Sequence, residues 1–419
     1  MSDDPDLHDW EAAQSVLRAV LRDPSLADTR PEFRTLVAGV NRLGRKHKRQ
    51  LTHSERPPTE GPRCYMCRRP YTQAHASNAA LCESCGTLNV SKRAARADLR
   101  GRVAVITGGR IKIGYAMSLR LLRDGARVIV TTRFPQDALK RYAAEPDGES
   151  WLPRLTLYGL DLRDVRAVEG FCHSLTRTLP HLDMLINNAA QTIARPAPFY
   201  AHLFEGERLA LPDSGSQTPQ IALAAPLLQM DTDPAAALAS CFPAGQLDDF
   251  GEQLDLRQDN SWTQRLEQIE GREWLEVQLI NVTAPSLLCR ELLPLMRRSP
   301  FARRFIVNVS AIEGVFERGR RNDNHPHTNM AKAALNMLTV TSAPGLARAG
   351  IFMTSVDTGW VSQQEPQAQR DRMKARGFTL PLETEDAVAR VYDPIVRGLT
   401  RSETPPFGVY LKDFRVHPW

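Results

Sequence analysis

The chain has 419 residues, a net charge of +6, 42% hydrophobic and 24% charged residues. That is the balance of a globular protein with room for one large domain and something smaller. It contains no apolar run of spanning length, so no transmembrane helix and no membrane partner are expected. It opens Met1-Ser2-Asp3-Asp4 without the apolar segment of a secretory signal, which makes a cytoplasmic location the default expectation. The charge is uneven: positions 42–100 carry 13 Lys/Arg against 4 Asp/Glu. Such a stretch is either a solvated linker or a contact for protein or nucleic acid.

In chain order, the first periodic segment runs from Leu7 to Leu21, with Trp10, Ala13, Val16, Leu17 and Val20 at helical spacing. A second begins at Pro31 and places Phe33, Leu36, Val37, Val40 and Leu43 on one face. We read a helical hairpin followed by a basic linker, together residues 1–60.

Residues 61–90 hold two Cys-x-x-Cys pairs, Cys64/Cys67 and Cys82/Cys85, separated by fourteen residues. Two such pairs present four thiolates to one Zn²⁺, as in a zinc ribbon. With four protein ligands the site is closed, so the metal is structural and supplies folding energy to a short segment. The other cysteines, Cys172, Cys241 and Cys289, are scattered, which speaks against a disulfide framework. Gly86 after the second pair suits a tight knuckle.

From residue 91 to 419 the pattern alternates strand and helix, with an insertion at about 191–271. Strands are expected near 103–107, 127–132, 155–159, 184–187, 305–309, 352–356 and 408–411. Helices are expected near 113–124, 165–178, 272–298, 329–342 and 385–399. This order is that of an α/β, doubly wound parallel sheet of Rossmann type. Val103–Thr107 feeds a glycine turn and a helix start, Gly108-Gly-Arg-Ile-Lys-Ile-Gly114, the arrangement that brings backbone N–H groups to a pyrophosphate.

These residues resemble the short-chain dehydrogenase/reductase family over about 101–419. Thr107, Gly108 and Gly114 fit the family's Thr-Gly-x-x-x-Gly-x-Gly turn. Asp161-Leu162 follows the third strand, where the family uses Asp on the adenine amino group. Asn187-Asn188-Ala189-Ala190 fits its Asn-Asn-Ala-Gly stretch. Asn281 resembles its catalytic Asn, Lys332 its active-site Lys, and Thr358-Gly359 its Pro-Gly after the sixth strand. The resemblance implies a bound dinucleotide held by Thr107, Gly108, Arg110, Lys112, Ile113, Gly114, Arg133, Asp161, Leu162, Asn188, Ala189, Lys332 and Gly359. It also implies a small-molecule substrate and a homo-oligomer.

The departures narrow the reading. Lys112 replaces the middle glycine of the turn, which looks like pteridine reductases, a branch of the family that uses NADPH. The second strand ends Thr131-Thr132-Arg133, without the acidic residue that binds a ribose 2′-hydroxyl. Arg133 and Arg110 instead suit a 2′-phosphate, which points to NADP(H). Four residues before Lys332, where the family has its Tyr, stands Thr328, whose hydroxyl is too weak an acid for that role. Ala311 stands at the place of the helper Ser, with Ser310 one residue earlier.

His325 lies seven residues before Lys332, the spacing at which enoyl reductases of the same family place their Tyr, and is the candidate proton donor, with His327 a second. Pro285 has no N–H for the Asn281 carbonyl, which is thereby freed for a relay water or marks a helix kink. The expected activity is an NADP(H)-dependent oxidoreductase with an altered proton donor, acting on a carbonyl, imine or enoyl group. The second reading is a catalytically inactive NADP(H) sensor that meets a partner through the zinc ribbon.

Overall fold

The structure is a computed structural model. It describes residues 61–208, 220–223, 240–317 and 322–419, with a few isolated positions (13, 15, 16, 19 and 238) besides. Of the hairpin expected over 7–43, Ala13, Ser15, Val16 and Ala19 are helical, and the rest lies outside the described residues. The chain divides into two units, Met1–Arg63 and Cys64–Trp419.

The second unit opens with a small hairpin, β1 (Ala74–His75) and β2 (Asn78–Cys82), and helix α1 (Glu83–Ala94). Then come β3 (Val103–Thr107), α2 (Lys112–Arg123), β4 (Arg127–Thr132), α3 (Pro135–Ala143), β5 (Leu155–Gly159), α4 (Val165–Thr178) and β6 (Met184–Asn187). After the insertion's α5 (Ala201–Arg208) and β7 (Gln220–Leu223) come α6 (Gly271–Gln278), α7 (Ala284–Arg297) and β8 (Arg304–Ser310). The last elements are α8 (Pro326–Ala347), β9 (Ile351–Asp357), α9 (Gln367–Ala375), α10 (Thr384–Thr400), β10 (Tyr410–Lys412) and β11 (Arg415–His417).

Strands β3 to β11 form one nine-stranded sheet in the order β11-β10-β9-β8-β6-β3-β4-β5-β7. All neighbours are parallel except the final hairpin β10–β11. This is the expected doubly wound sheet, and its order reverses between β3 and β6, where such sheets open a crevice at their carboxyl ends. Every residue of β3 is buried, as in a strand covered on both faces. Its side chains alternate between two cores. Ala104 and Ile106 join Met117, Leu122, Val130 and Val391 on one side. Val103 and Val105 join Phe171, Leu185, Leu288 and Leu292 on the other.

The structure departs from the expectations in four places. The long helix expected at 272–298 is broken by a π-helical turn, Leu279–Thr283, between α6 and α7. Pro285 causes it, since its ring collides with a carbonyl one α-turn back and brings no N–H. The second Cys pair is not on a loop: α1 starts directly after Cys82 and carries Cys85. Gly86 is needed there because a Cβ would lie 2.1 Å from the His75 ring, rather than for a turn. And β7, inside the insertion where no strand was expected, pairs with β5 and extends the sheet.

Helix α1 locks onto α10 through buried polar contacts. Asn89 donates to Asp386 at 2.6 Å, and Arg390 donates to Asn89 at 3.2 Å and to Asp413 at 2.8 Å. The cysteine-bearing segment is therefore keyed to the sheet at its β10 edge.

Candidate functional site

A cleft of about 380 Å³ opens at the switch point of the sheet. Gly108, Arg110, Lys112, Ile113, Gly114, Arg133, Asp161, Leu162, Asn188 and Ala189 all line it. Ten of the residues expected to hold a dinucleotide thus converge from β3, β4, β5 and β6. Thr107 shapes this wall without lining it: its Oγ1 accepts the N–H groups of Asn188 and Ala189, each at 3.0 Å. The Asn188 side chain returns a bond to the Thr107 carbonyl at 2.9 Å. A Cβ on Gly114 would lie 2.1 Å from the Gly108 carbonyl oxygen, so only glycine lets α2 start this close to the turn.

Lys112 takes the left-handed backbone conformation, φ +53°. The position thus keeps glycine's geometry while carrying a long cation, at a strain of about 1 kcal/mol or more. The ammonium lies 5.0 Å from the centre of the Phe250 ring. Burial pulls its pKa below that of an ordinary lysine.

The two arginines part company. Arg110 is buried and held by Asp137 at 2.9 Å and by Glu252 of the insertion. Arg133 lies over the rings of Phe134 and Tyr200, 5.4 and 4.5 Å from their centres. Among the described residues it forms no ion pair. Asp161 would be raised by burial, but the Arg163 guanidinium at 2.7 Å holds it below the usual carboxylate range.

The insertion roofs the cleft. Arg195, Tyr200 and Glu252 line the cavity. They are anchored by an aromatic cluster of Phe134, Phe199, Tyr200, Leu203 and Phe242. Gln191, Thr192, Ile193, Ile280 and Gln364 complete the lining at the end nearest Asn281. None of these residues was among those expected to hold a dinucleotide, because they reach the cleft only through tertiary packing.

Asn281, Lys332, His325 and Gly359 are not in that lining. Asn281 sits in the π-turn, where its side chain accepts the Gln191 N–H at 2.7 Å and donates to the Gln191 carbonyl at 3.0 Å. It therefore fixes a cleft residue. Lys332 is buried on α8, donates to the Val309 carbonyl at 2.8 Å, and burial pushes its pKa down to about 8. Gly314 lets the turn after β8 pass this close, since a Cβ would lie 2.6 Å from the Lys332 carbonyl carbon.

His325 caps α8, stacks on Trp262 at 3.9 Å and bonds Asn329 at 3.0 Å. Burial lowers its pKa. His327 pairs with Glu273 at 3.2 Å, while its Nδ1 and the Thr328 Oγ1 are buried without partners. Ser310 donates to Asn336 at 2.7 Å.

The Sγ atoms of Cys64, Cys67, Cys82 and Cys85 all lie within 4.8 Å of one another. The Cys67–Cys82 separation of 3.8 Å matches the edge of a ZnS₄ tetrahedron, about 3.8 Å for Zn–S bonds of about 2.3 Å. All four are free thiols. A hydrogen bond from Ser84, then the Cys85 N–H, lowers Cys82 to about 6, whereas burial raises Cys85. The donor set and spacing fit a soft divalent metal.

Comparison with known proteins gives matches of three kinds. The family model for short chain dehydrogenases matches residues 102–202. An uncharacterised protein of Acanthamoeba polyphaga mimivirus is 32% identical over 348 residues, covering 79% of this chain and 71% of that protein. Mouse retinol dehydrogenase 14 is 36% identical over 102 residues, which is 22% of this chain and 30% of that enzyme. The crystal structure of an NADPH-bound carbonyl reductase from chicken fatty liver aligns with a TM-score of 0.49 at 20% identity. That alignment covers 77% of this chain and all of that one.

The fold and its glycine turn define a Rossmann-type α/β protein. The chain belongs to the short-chain dehydrogenase/reductase family, a family of oxidoreductases. No helix among the described residues is long and apolar enough to cross a membrane.

Proposed function

We propose that the chain is an NADP(H)-dependent oxidoreductase that acts on a carbonyl, imine or enoyl group with an altered proton donor. One observation carries the cofactor choice. At the end of β4, where an acidic residue would meet a ribose 2′-hydroxyl, the cleft offers the guanidinium of Arg133 on two aromatic rings. A planar cation so placed suits a 2′-phosphate. Lys112 adds a second positive group beside the turn, and the first turn of α2 offers backbone N–H groups to a pyrophosphate.

When bound, the nicotinamide supplies or accepts a hydride at the substrate carbon. The chain's residues handle the proton. In this reading Thr328 and Ala311 stand where the family has Tyr and Ser. Of the remaining groups, Lys332 at about 8 is matched to donating a proton near neutral pH. Burial holds His325 below its usual range, so near neutral pH little of it carries the proton it would donate. Asn281 orients Gln191 at the cleft floor. The four cysteines hold one structural Zn²⁺. A homo-oligomer is part of the reading: Leu275 on α6 and Met330 and Met337 on α8 are exposed apolar side chains that a second copy would cover.

The test is NADPH oxidation over carbonyl, imine and enoyl substrates, with the wild-type chain and with Lys332→Ala. Turnover that the substitution abolishes supports the proposal. Tight NADPH binding without turnover on any substrate contradicts it.

A further inference from the structure

Tyr65 lies between the first two cysteines, Cys64 and Cys67, and is the point where the thiol cluster meets the nucleotide cleft. Its Oη accepts the N–H of Trp360 at 2.8 Å. Its ring packs against the small cluster of Val361, Leu382 and Ala387, and Ile113 packs against the same cluster. Ile113 belongs to the first turn of α2 and lines the cleft.

Trp360 opens the segment that leads from the end of β9 to α9. Four residues further on, Gln364 lines the cleft. Its carbonyl accepts from Asn260 at 2.9 Å, and its side-chain oxygen accepts from Thr192 at 3.1 Å. One end of this segment is thus held by Tyr65 and the other by the roof of the cleft. The turn between has little room: Gly359 has φ +79°, and a Cβ there would lie 2.4 Å from Leu382 Cδ1 and 3.5 Å from Tyr65 Oη.

Tyr65 is itself placed by the thiol cluster. Its N–H donates to the Ala80 carbonyl at 2.9 Å, two residues before Cys82, and the Cys64 N–H donates to the Arg69 carbonyl at 3.0 Å. Both strands of the knuckle that the metal draws together therefore fix its backbone. The cluster's own apolar core is small, Cys64, Leu81 and Cys85 with flanking Tyr and Met, so the contacts of α1 with α10 hold its far side while the metal would order the knuckle around Tyr65.

We propose that Tyr65 is a positioning residue through which the Cys64/Cys67/Cys82/Cys85 metal site sets the cleft. Bound metal fixes Tyr65. Tyr65 fixes the 358–364 segment and the Ile113 wall, and dinucleotide affinity tracks metal occupancy. This rests on the dinucleotide reading of the cleft.

The test uses the full chain and Tyr65→Phe, which keeps the ring and all four thiols and removes only the acceptor oxygen. Three quantities are read: zinc content, hydrogen exchange at the Trp360 amide, and the NADPH dissociation constant. The expected result is unchanged zinc, Trp360 exchange faster by about tenfold, and NADPH binding weakened several-fold. Removing zinc from the wild-type chain with a chelator produces the same two changes, and restoring zinc reverses them.

Unchanged exchange and affinity in zinc-replete Tyr65→Phe overturn the proposal, as does a wild-type chain that takes up no zinc. A wild-type chain that binds neither NADPH nor NADH overturns the cleft reading and the affinity half of the proposal with it. The Trp360 exchange rate then decides the link from metal to segment by itself.

Discussion

Arg110 of the glycine turn and Glu252 of the insertion form a buried ion pair across 142 positions of the chain. Asp137 shares the same guanidinium. The pair ties the roof of the cleft to its floor, and it leaves Arg110 with little charge to offer a ligand. By sequence, Arg110 and Arg133 share one task. The structure gives Arg110 two carboxylates, so in the proposed function the 2′-phosphate falls to Arg133.

Glu252→Gln removes one of the two negative charges on Arg110 and keeps the size of the side chain. The field at the ribose end of the cleft becomes more positive, so NADPH binds about three- to tenfold tighter while NADH binding hardly moves. The same change weakens a buried charge-assisted bond and costs about 1–3 kcal/mol of stability. Calorimetric titration with both cofactors and a denaturant melt read the two effects. Equal gains for NADPH and NADH contradict this account of Arg110.

Lys112 occupies a left-handed position at the first residue of a helix. Helix propensity alone favours Ala over Gly by about 1 kcal/mol, but a positive φ reverses that order. The Lys112→Gly chain is therefore more stable than Lys112→Ala by about 1 kcal/mol, read as midpoints of urea unfolding. Both variants lose the ammonium beside the turn and bind NADPH less tightly. A more stable Ala variant contradicts the backbone conformation at this site.

Lys332 links the site to pH. Its pKa is about 8 in the folded chain, pushed down mainly by burial, with Glu313 acting in the opposite direction, against 10.5 for an unperturbed lysine. Between these two values the unfolded chain binds the proton and the folded one does not, so stability rises with pH through that window. The shift corresponds to about 3 kcal/mol. Lys332→Met removes this rise. The difference in unfolding free energy between wild type and variant, measured from about pH 8 to about pH 10, shows the slope. A flat difference contradicts the buried, destabilised ammonium.

Much of the fold was legible because parallel strands covered on both faces read as short apolar runs. Val103–Thr107, Arg127–Thr132 and Leu155–Gly159 stand in the structure with the boundaries expected of them. β7 was not legible: it is a four-residue strand inside the insertion whose place is set by pairing with β5 at the sheet edge. The break at Asn281 was foreshadowed by Pro285, because a missing N–H has a fixed position in a helix. The glycine-turn wall was legible as contiguous sequence. Glu252, Tyr200 and Gln364 were not, since packing alone brings them to it. Tyr65 was hidden between two cysteines whose spacing explained the segment without it.

The proposed function stands on one claim, that the cleft at the β3–β6 switch point would take NADP(H) through Arg133. Calorimetric titration of the full chain and of Arg133→Ala, each with NADPH and with NADH, tests it most directly. The wild-type chain is predicted to bind NADPH at least about tenfold tighter than NADH, and Arg133→Ala to erase this difference by weakening NADPH alone. Equal affinity of the wild-type chain for the two cofactors, or a preference that survives in Arg133→Ala, would contradict it.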